Sequence, residues 1–126
     1  MTTVVEHGKC AICGEDVDFQ VKEGFSLREA SCPACGGSKR NRDLARAILI
    51  THLGDDTHSL SDGLDRLKDL SIYEAQASGP IHIYLSKLPK YVCSEYYDNI
   101  LPGNTDETGI RCENLEDLTF KDNSYD

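Results

Sequence analysis

The stretch Ser71–Tyr97 reads SIYEAQASGPIHIYLSKLPKYVCSEYY, and the fold prediction starts from it. A short apolar run from Ile72 is followed by a turn of small residues, and Pro80 then opens a segment with helical spacing. A second apolar run begins at Tyr91 and ends in the acid Glu95. Strand, turn, helix and strand in this order predict one βαβ unit with parallel strands.

The turn of this unit marks the predicted ligand site. It lies at the carboxyl end of the first strand, where open parallel sheets bind their ligands. Glu95 follows Glu74 by 21 residues. In nucleotide-binding α/β folds an acid about 20 residues further on commonly accepts hydrogen bonds from ribose hydroxyls. We therefore expect Glu95 to hold the sugar of a nucleoside-containing ligand.

The flanking segments extend this α/β region. Helical spacing predicts helices over Asn41–Leu53, capped by Asn41 or Ser38, and from Ser59 or Ser61 through Leu70. The segment 109–114 is a plausible third strand after a polar loop. Cys93 and Cys112 fall inside predicted strands, where we expect them to be small buried hydrophobic residues.

Two C-x-x-C pairs near the N-terminus predict a metal site. Cys10 and Cys13 form one pair, Cys32 and Cys35 the other, and 18 residues separate the pairs. This spacing is typical of a four-thiolate zinc site, which leaves no open coordination position and is therefore structural. Two disulfides or an iron–sulfur cluster are the alternatives, and a cytosolic location disfavours disulfides.

The residues between and around these pairs predict a small metal-stabilised module. Val17, Phe19 and Val21 alternate with polar residues as one strand of a hairpin, and the other strand is predicted to begin at Phe25 and Leu27. His7 lies three residues before Cys10, and we interpret it as a surface histidine. Glycines directly after each pair, Gly14 and Gly36-Gly37, allow backbone amides to turn toward the sulfurs.

Charge and hydropathy limit the classes of function. Thirteen basic and twenty-two acidic residues give a net charge of −9, which opposes free-standing nucleic-acid binding. The segment from Lys22 to Arg46 is basic, and Arg40, Arg42 and Arg46 are either phosphate contacts or, as we favour, a solvated helix face. No apolar run approaches the roughly 18 residues of a membrane span, and no signal peptide is present, so we expect a cytoplasmic protein without a membrane partner.

The C-terminal half resembles a known family. Its last thirteen residues, Asn114–Asp126, read NLEDLTFKDNSYD. This run is similar to the passage D-x-x-x-L-P-F-x-D-x-S-F-D of class I S-adenosylmethionine-dependent methyltransferases of the type often labelled type 11. A four-cysteine zinc ribbon followed by a basic helix also resembles the N-terminal extension that some of these enzymes carry. The resemblance implies a zinc ribbon or knuckle, then helices, then about three parallel strands of a Rossmann-like methyltransferase domain.

Residue roles follow from this resemblance by position. It implies that the turn from Glu74 and Ala75 to Gly79 passes the methionine end of S-adenosylmethionine, and that Glu95 holds the ribose. It further implies that Tyr96 lies against the adenine, while Asn114 and the Leu115 amide meet the adenine edge. The family's fourth strand would begin at Asp126. We therefore expect the N-terminal portion of a longer enzyme, inactive in methyl transfer by itself, whose catalytic residues and methyl acceptor these motifs do not specify.

The sequence thus predicts three segments: a zinc-binding ribbon with a basic helix over 1–54, a linker helix over 55–70, and the N-terminal part of an S-adenosylmethionine-binding α/β domain over 71–126. The alternative function is a non-catalytic zinc module that contacts proteins or nucleic acid. The basic segment favours that alternative, as does the turn with its single glycine, because the methyltransferase family usually has two or three glycines there.

Overall fold

A computed structural model describes residues 1–55 and 58–126. The chain divides into two compact units, the N-terminal unit Met1–Leu67 and the C-terminal unit Lys68–Asp126. The N-terminal unit contains β1 (Thr2–Lys9), β2 (Asp16–Lys22), α1 (Lys39–Leu53) and α2 (Leu60–Gly63), with 3-10 turns at Leu27–Glu29 and Leu64–Leu67. The C-terminal unit contains β3 (Ile72–Glu74), α3 (Pro80–Leu85), β4 (Tyr91–Glu95) and β5 (Arg111–Cys112).

The hairpin of the N-terminal unit is built from β1 and β2. The two strands are antiparallel, with a bulge between Val4 and Glu6. Phe19 and Val21 are buried, as the alternation in β2 predicts. The predicted partner strand beginning at Phe25 and Leu27 is wrong. Gly24, at φ +85°, turns the chain out of the sheet directly after β2, and both side chains are more than half exposed.

Helix α1 confirms the helix predicted between Asn41 and Leu53 and begins two residues earlier. Ser38 is its N-cap: the Ser38 hydroxyl accepts from the Asn41 amide, and the Asn41 side chain accepts from the Ser38 amide. Gly54 ends the helix in the left-handed conformation, at φ 86°. Ala45 and Leu49 lie on its buried side.

The segment after α1 contains less regular helix than its leucine pattern predicts. Ser59 caps α2 as expected, but the α-helix ends at Gly63 and continues only as the 3-10 turn Leu64–Leu67. The buried Gly63 explains the early end, because glycine weakens a helix interior and here lies against Leu53 and Leu49. Part of the predicted linker, Asp56 and Thr57, lies outside the described residues.

The C-terminal unit contains a parallel three-stranded sheet in the order β3-β4-β5. Ile72 pairs with Tyr91 and Glu74 with Cys93, while Glu95 pairs with Cys112. Pro80 opens α3, whose buried side includes Ile81 and Leu85. The predicted βαβ unit and the parallel third strand are confirmed. Cys112 is fully buried, as expected, whereas Cys93 is half-buried.

The chain after β5 packs against β3. Tyr73 lies 4.8 Å from the Phe120 ring and 5.7 Å from the Tyr125 ring, measured between centroids. The Tyr73 hydroxyl also lies 2.6 Å from the Ser94 hydroxyl. At the start of β3, the Asp126 amide donates to the Ser71 carbonyl and the Ser71 amide donates to the Asp126 carboxylate. Aromatic packing and backbone pairing thus tie the C-terminal residues to the sheet.

Within 1–55 and 58–126, every helix is too short or too polar to cross a membrane.

Candidate functional site

The four cysteines of the two C-x-x-C pairs converge in the N-terminal unit. Their sulfur atoms all lie within 4.8 Å of one another. Cys10 Sγ is 3.8 Å from Cys35 Sγ, and Cys13 Sγ is 3.8 Å from Cys32 Sγ. A tetrahedral zinc ion with zinc–sulfur bonds of about 2.3 Å places its sulfurs about 3.8 Å apart. A disulfide needs about 2.05 Å, so this geometry fits four metal ligands and not two disulfides.

The two cysteine loops have the same backbone hydrogen bonds. In the first loop the Gly14 amide donates to the Cys10 carbonyl and the Cys10 amide donates to the Glu15 carbonyl. In the second loop the corresponding bonds join Gly36 to Cys32 and Cys32 to Gly37, at 2.8 and 3.0 Å. Gly14 and Gly36 both have φ near +80° (82° and 80°), a conformation that favours glycine. The two loops therefore share one backbone shape.

Burial and hydrogen bonding shift the pKa values of the cysteines in opposite directions. Cys10 and Cys32 are fully buried, with 0% and 1% exposure. Burial raises the pKa of Cys13 to about 11 and also raises the pKa of Cys35. For Cys32, hydrogen bonds from the Cys35 and Ala34 amides outweigh burial and lower the pKa. A bound divalent cation would stabilise the four thiolates together, since metal ligation requires deprotonated sulfur.

Gly37 packs against the first cysteine loop, and its replacement by alanine is expected to destabilise the N-terminal unit. A Cβ at Gly37 would lie 2.5 Å from Ile12 Cδ1 and 3.4 Å from Cys35 Sγ. Ile12 is fully buried and cannot move aside freely, so we expect a loss of about 1–3 kcal/mol in the free energy of unfolding. Gly8→Ala is the control, because its Cβ would meet nothing within 4 Å. Equal thermal midpoints for both variants would contradict this packing.

His7 lies apart from the metal cluster, as predicted for a surface histidine. Its Nδ1 is 2.5 Å from Asp18 and its Nε2 is 3.2 Å from Asp16. These two carboxylates, Asp18 first, raise the pKa of His7, and the side chain is 61% exposed. Each ring nitrogen thus has a partner on β2, away from the sulfurs.

The three arginines at the start of α1 do not form one surface. Arg40 pairs with Glu29, and Arg46 pairs with Asp43. Arg42, by contrast, is only 2% exposed, and the prediction of a solvated side chain is wrong for it. Its position follows from helical spacing, because Arg42, Ala45 and Leu49 share the buried side of α1. Three bases of the segment, Lys39, Arg40 and Arg46, thus pair with two of its acids, Asp43 and Glu29.

A second candidate site lies at the carboxyl edge of the parallel sheet. A cavity of about 320 Å³ opens there, close to the lower end of the roughly 300–1,000 Å³ found for ligand pockets. Its walls come from the segments that follow β3, β4 and β5. The lining residues are Ala75, Ser94, Glu95, Tyr96, Glu113, Asn114, Leu115 and Glu116.

Five of the seven residues predicted for cofactor binding line this cavity: Ala75, Glu95, Tyr96, Asn114 and Leu115. Glu95 Oε1 accepts a 2.8 Å hydrogen bond from the Ala77 amide, so the carboxylate faces the turn between β3 and α3. Tyr96 and Leu115 are 61% and 66% exposed, which leaves apolar surface at the rim.

The other two predicted residues lie elsewhere. Glu74 Oε1 accepts a 2.5 Å hydrogen bond from the Tyr91 hydroxyl, which also lies 2.7 Å from His82 Nδ1. Burial and this bond to Glu74 strongly raise the pKa of Tyr91. Gly79 is the N-cap of α3, at φ 107°. Glu74 and Gly79 therefore have structural partners in the βαβ unit and are not among the residues lining the cavity.

Sequence reasoning missed Glu113, which organises one wall of the cavity. It is 2% exposed, and its carboxylate accepts from the Thr119 amide, the Thr119 hydroxyl and Arg111 Nε. Against the effect of burial, the bonds from Thr119 and Arg111 lower the pKa of Glu113. The Glu113 amide also donates to the Glu95 carbonyl. Only its position directly before Asn114 could have indicated this role.

Comparisons with protein-family models, with curated proteins and with solved structures each find no match to this chain. The structure itself shows a mixed α/β chain with a parallel three-stranded sheet and four cysteines positioned to hold a metal ion.

Proposed function

We propose that this chain binds S-adenosylmethionine at the carboxyl edge of its sheet and one zinc ion between its four cysteines. In this proposal it is the cofactor-binding part of a class I S-adenosylmethionine-dependent methyltransferase with a Rossmann-like domain and an N-terminal zinc ribbon. One observation carries the proposal: the Glu95 carboxylate, at the end of β4, faces the turn that follows the parallel strand β3. In such sheets this is the place of a ribose-binding acid.

The geometry supports a role for each wall of the cavity. One carboxylate can accept from two ribose hydroxyls, and Glu95 Oε2 has no hydrogen-bond partner among the described contacts. The exposed ring of Tyr96 offers a face for adenine, and the apolar Leu115 lines the same cavity. The Asn114 side-chain oxygen accepts from the Glu116 amide, which leaves its amide nitrogen to meet a base edge.

The charge of the cavity distinguishes S-adenosylmethionine from phosphate-bearing cofactors. Three of the eight lining residues are acidic and none is basic. Glu113 is paired with Arg111, so Glu95 and Glu116 set the negative charge of the cavity. Phosphates would be repelled here, whereas a sulfonium cation would be attracted. The turn from Ala75 to Gly79 is followed by a helix of only six residues, Pro80–Leu85. The dipole of so short a helix attracts an anion only weakly.

The chemistry of such an enzyme is an in-line displacement at the sulfonium methyl group. The protein accelerates it mainly by bringing the acceptor and the methyl carbon together in line. This chain's contribution in the proposal is to bind and orient the cofactor through Glu95 and the cavity walls. The methyl acceptor's own contacts decide the substrate, and no residue of the chain is assigned a catalytic role.

The zinc ion in this proposal is structural. Four thiolate ligands fill a tetrahedral shell and leave no position for water or substrate. The cysteine loops fit this role because their four sulfurs lie within 4.8 Å of one another and two of the cysteines are fully buried. An iron–sulfur cluster uses the same ligands. A visible absorption spectrum distinguishes the two, because iron–sulfur clusters absorb visible light and a zinc-loaded protein is colourless.

Ligand selectivity tests the proposed function directly. We expect calorimetric titration of the full chain to show binding of S-adenosylmethionine and S-adenosylhomocysteine, with Kd values on the order of micromolar. NAD and ATP should bind at least about tenfold more weakly, since each carries phosphates into an acidic cavity. Binding of NAD or ATP as tightly as S-adenosylhomocysteine would contradict the proposal, and so would the absence of any binding.

A further inference from the structure

Arg42 on α1 is a charged side chain that is almost completely buried, with 2% exposure, among the described residues of the N-terminal unit. Its Nη1 donates to the Ala30 carbonyl and to the Gly37 carbonyl, both at 2.8 Å. Its guanidinium carbon lies 3.9 Å from the centroid of the Phe19 ring on β2. This arginine therefore joins the hairpin and the second cysteine loop to the helix. A buried arginine is costly unless its charge and donors are matched.

The contact with Gly37 connects Arg42 to the metal ligands. The same Gly37 carbonyl accepts from the Cys32 amide, and the Gly37 amide lies 3.4 Å from Cys35 Sγ. Arg42 thus holds the peptide that shapes the second cysteine loop. Its Nε is buried and has no hydrogen-bond partner among the described residues. The two hydrogen bonds from Nη1 therefore leave the guanidinium of Arg42 with an unpaired buried donor.

The charge of a filled metal site would offset the cost of burying the Arg42 guanidinium. A divalent ion with four thiolates carries a net charge of −2 in a largely buried place. Arginine keeps its charge in proteins. This permanent cation is linked to the proposed dianionic centre through the Gly37 peptide, whose carbonyl accepts from Arg42 and whose amide lies 3.4 Å from Cys35 Sγ. The exposed Arg40 and Arg46 have carboxylate partners instead.

We propose that Arg42 is a positioning residue of the metal centre: it clamps the second cysteine loop through Gly37 and is the counter-charge of the metal tetrathiolate. This inference rests on the zinc site of the proposed function. It predicts that both the guanidinium fork and the positive charge contribute to metal affinity. It also predicts that the positive charge makes the metal-bound sulfurs less nucleophilic.

The test compares three variants of the full chain: Arg42→Met, Arg42→Lys and the control Arg40→Met. Cobalt is titrated first, because its visible absorption reports a four-thiolate shell, and zinc is then competed against it. Arg42→Met should lower affinity by roughly 10- to 100-fold, the range for residues that support metal ligands. Arg42→Lys, which keeps the charge, should lose less. Arg40→Met should change affinity by less than about fivefold, since its ion pair is exposed.

The rate of cysteine alkylation distinguishes an electrostatic role of Arg42 from a role in packing alone. At saturating zinc, Arg42→Met should react with iodoacetamide faster than the wild-type chain, whereas Arg42→Lys should react at the wild-type rate. Wild-type affinity or a wild-type alkylation rate in Arg42→Met would overturn the inference. If Arg42→Met does not fold, Arg42→Lys decides: retained metal with a wild-type alkylation rate supports the inference, and loss of metal overturns it. A wild-type chain that binds no metal would instead refute the zinc site itself.

Discussion

Replacing Cys32 by serine is expected to release the metal and to unfold Met1–Leu67. Cys32 is buried, and a serine hydroxyl is a poor zinc ligand because it stays protonated at neutral pH. The unit is small, and domains of this size bury a limited apolar core. Structural zinc contributes an apparent binding free energy of about 10–16 kcal/mol in small zinc-finger peptides, enough to decide whether such a unit folds.

The measurement is a pair of ¹⁵N–¹H correlation spectra with metal analysis. In Cys32→Ser the amide signals of Met1–Leu67 should collapse to the narrow range of an unfolded chain, and metal content should fall toward zero. Cys93→Ser is the matched control, since Cys93 is a half-buried cysteine of the other unit and lies outside the cluster. It should keep one zinc per chain. A dispersed spectrum for metal-free Cys32→Ser would show that the metal does not support this fold.

The second large effect is expected at Glu95. Glu95→Gln keeps the size of the side chain but removes its charge and one hydrogen-bond acceptor. Hydrogen bonds to a charged group contribute about 1.5–3 kcal/mol, so affinity for S-adenosylhomocysteine should fall by roughly 10- to 100-fold. Calorimetry of both chains under the same conditions measures the change. Equal thermal midpoints would show that the variant is as stable as the wild-type chain, so that the loss of affinity arises at the ligand site.

Glu107→Gln is the control for this prediction. Glu107 is an exposed acid of the same unit and lies outside the cavity, so the substitution changes net charge equally without touching the site. Its affinity should equal that of the wild-type chain. A Glu95→Gln variant that binds as tightly as Glu107→Gln would remove Glu95 from the ligand site.

Features encoded locally were predictable from the sequence. The spacing of Cys10, Cys13, Cys32 and Cys35 led directly to the cluster, because four thiolates at that spacing have few other uses. The βαβ unit was predictable because strand, Pro80 helix and strand follow one another without long-range pairing. The start of α1 was predictable to within two candidate caps, Asn41 and Ser38, of which Ser38 is the N-cap.

Features that depend on distant contacts were not predictable in the same way. The partner of β2 is β1, whose side chains are mostly exposed and carry no burial pattern. The burial of Arg42 depends on carbonyls of two other segments, at Ala30 and Gly37. Glu113 is likewise defined by Thr119 and Arg111, which meet it only in the folded loop. A charged residue looks solvated in sequence until its buried partners are known.

The most direct test of the proposed cofactor site is a ¹⁵N–¹H titration of the zinc-loaded chain with S-adenosylhomocysteine. The proposal predicts saturable shifts concentrated at the amides around the cavity, namely Ala77, Glu95, Tyr96, Asn114 and Leu115, with the amides of Met1–Leu67 largely unchanged. Saturating shifts that leave these five amides in place, or no shifts at millimolar ligand, would contradict it.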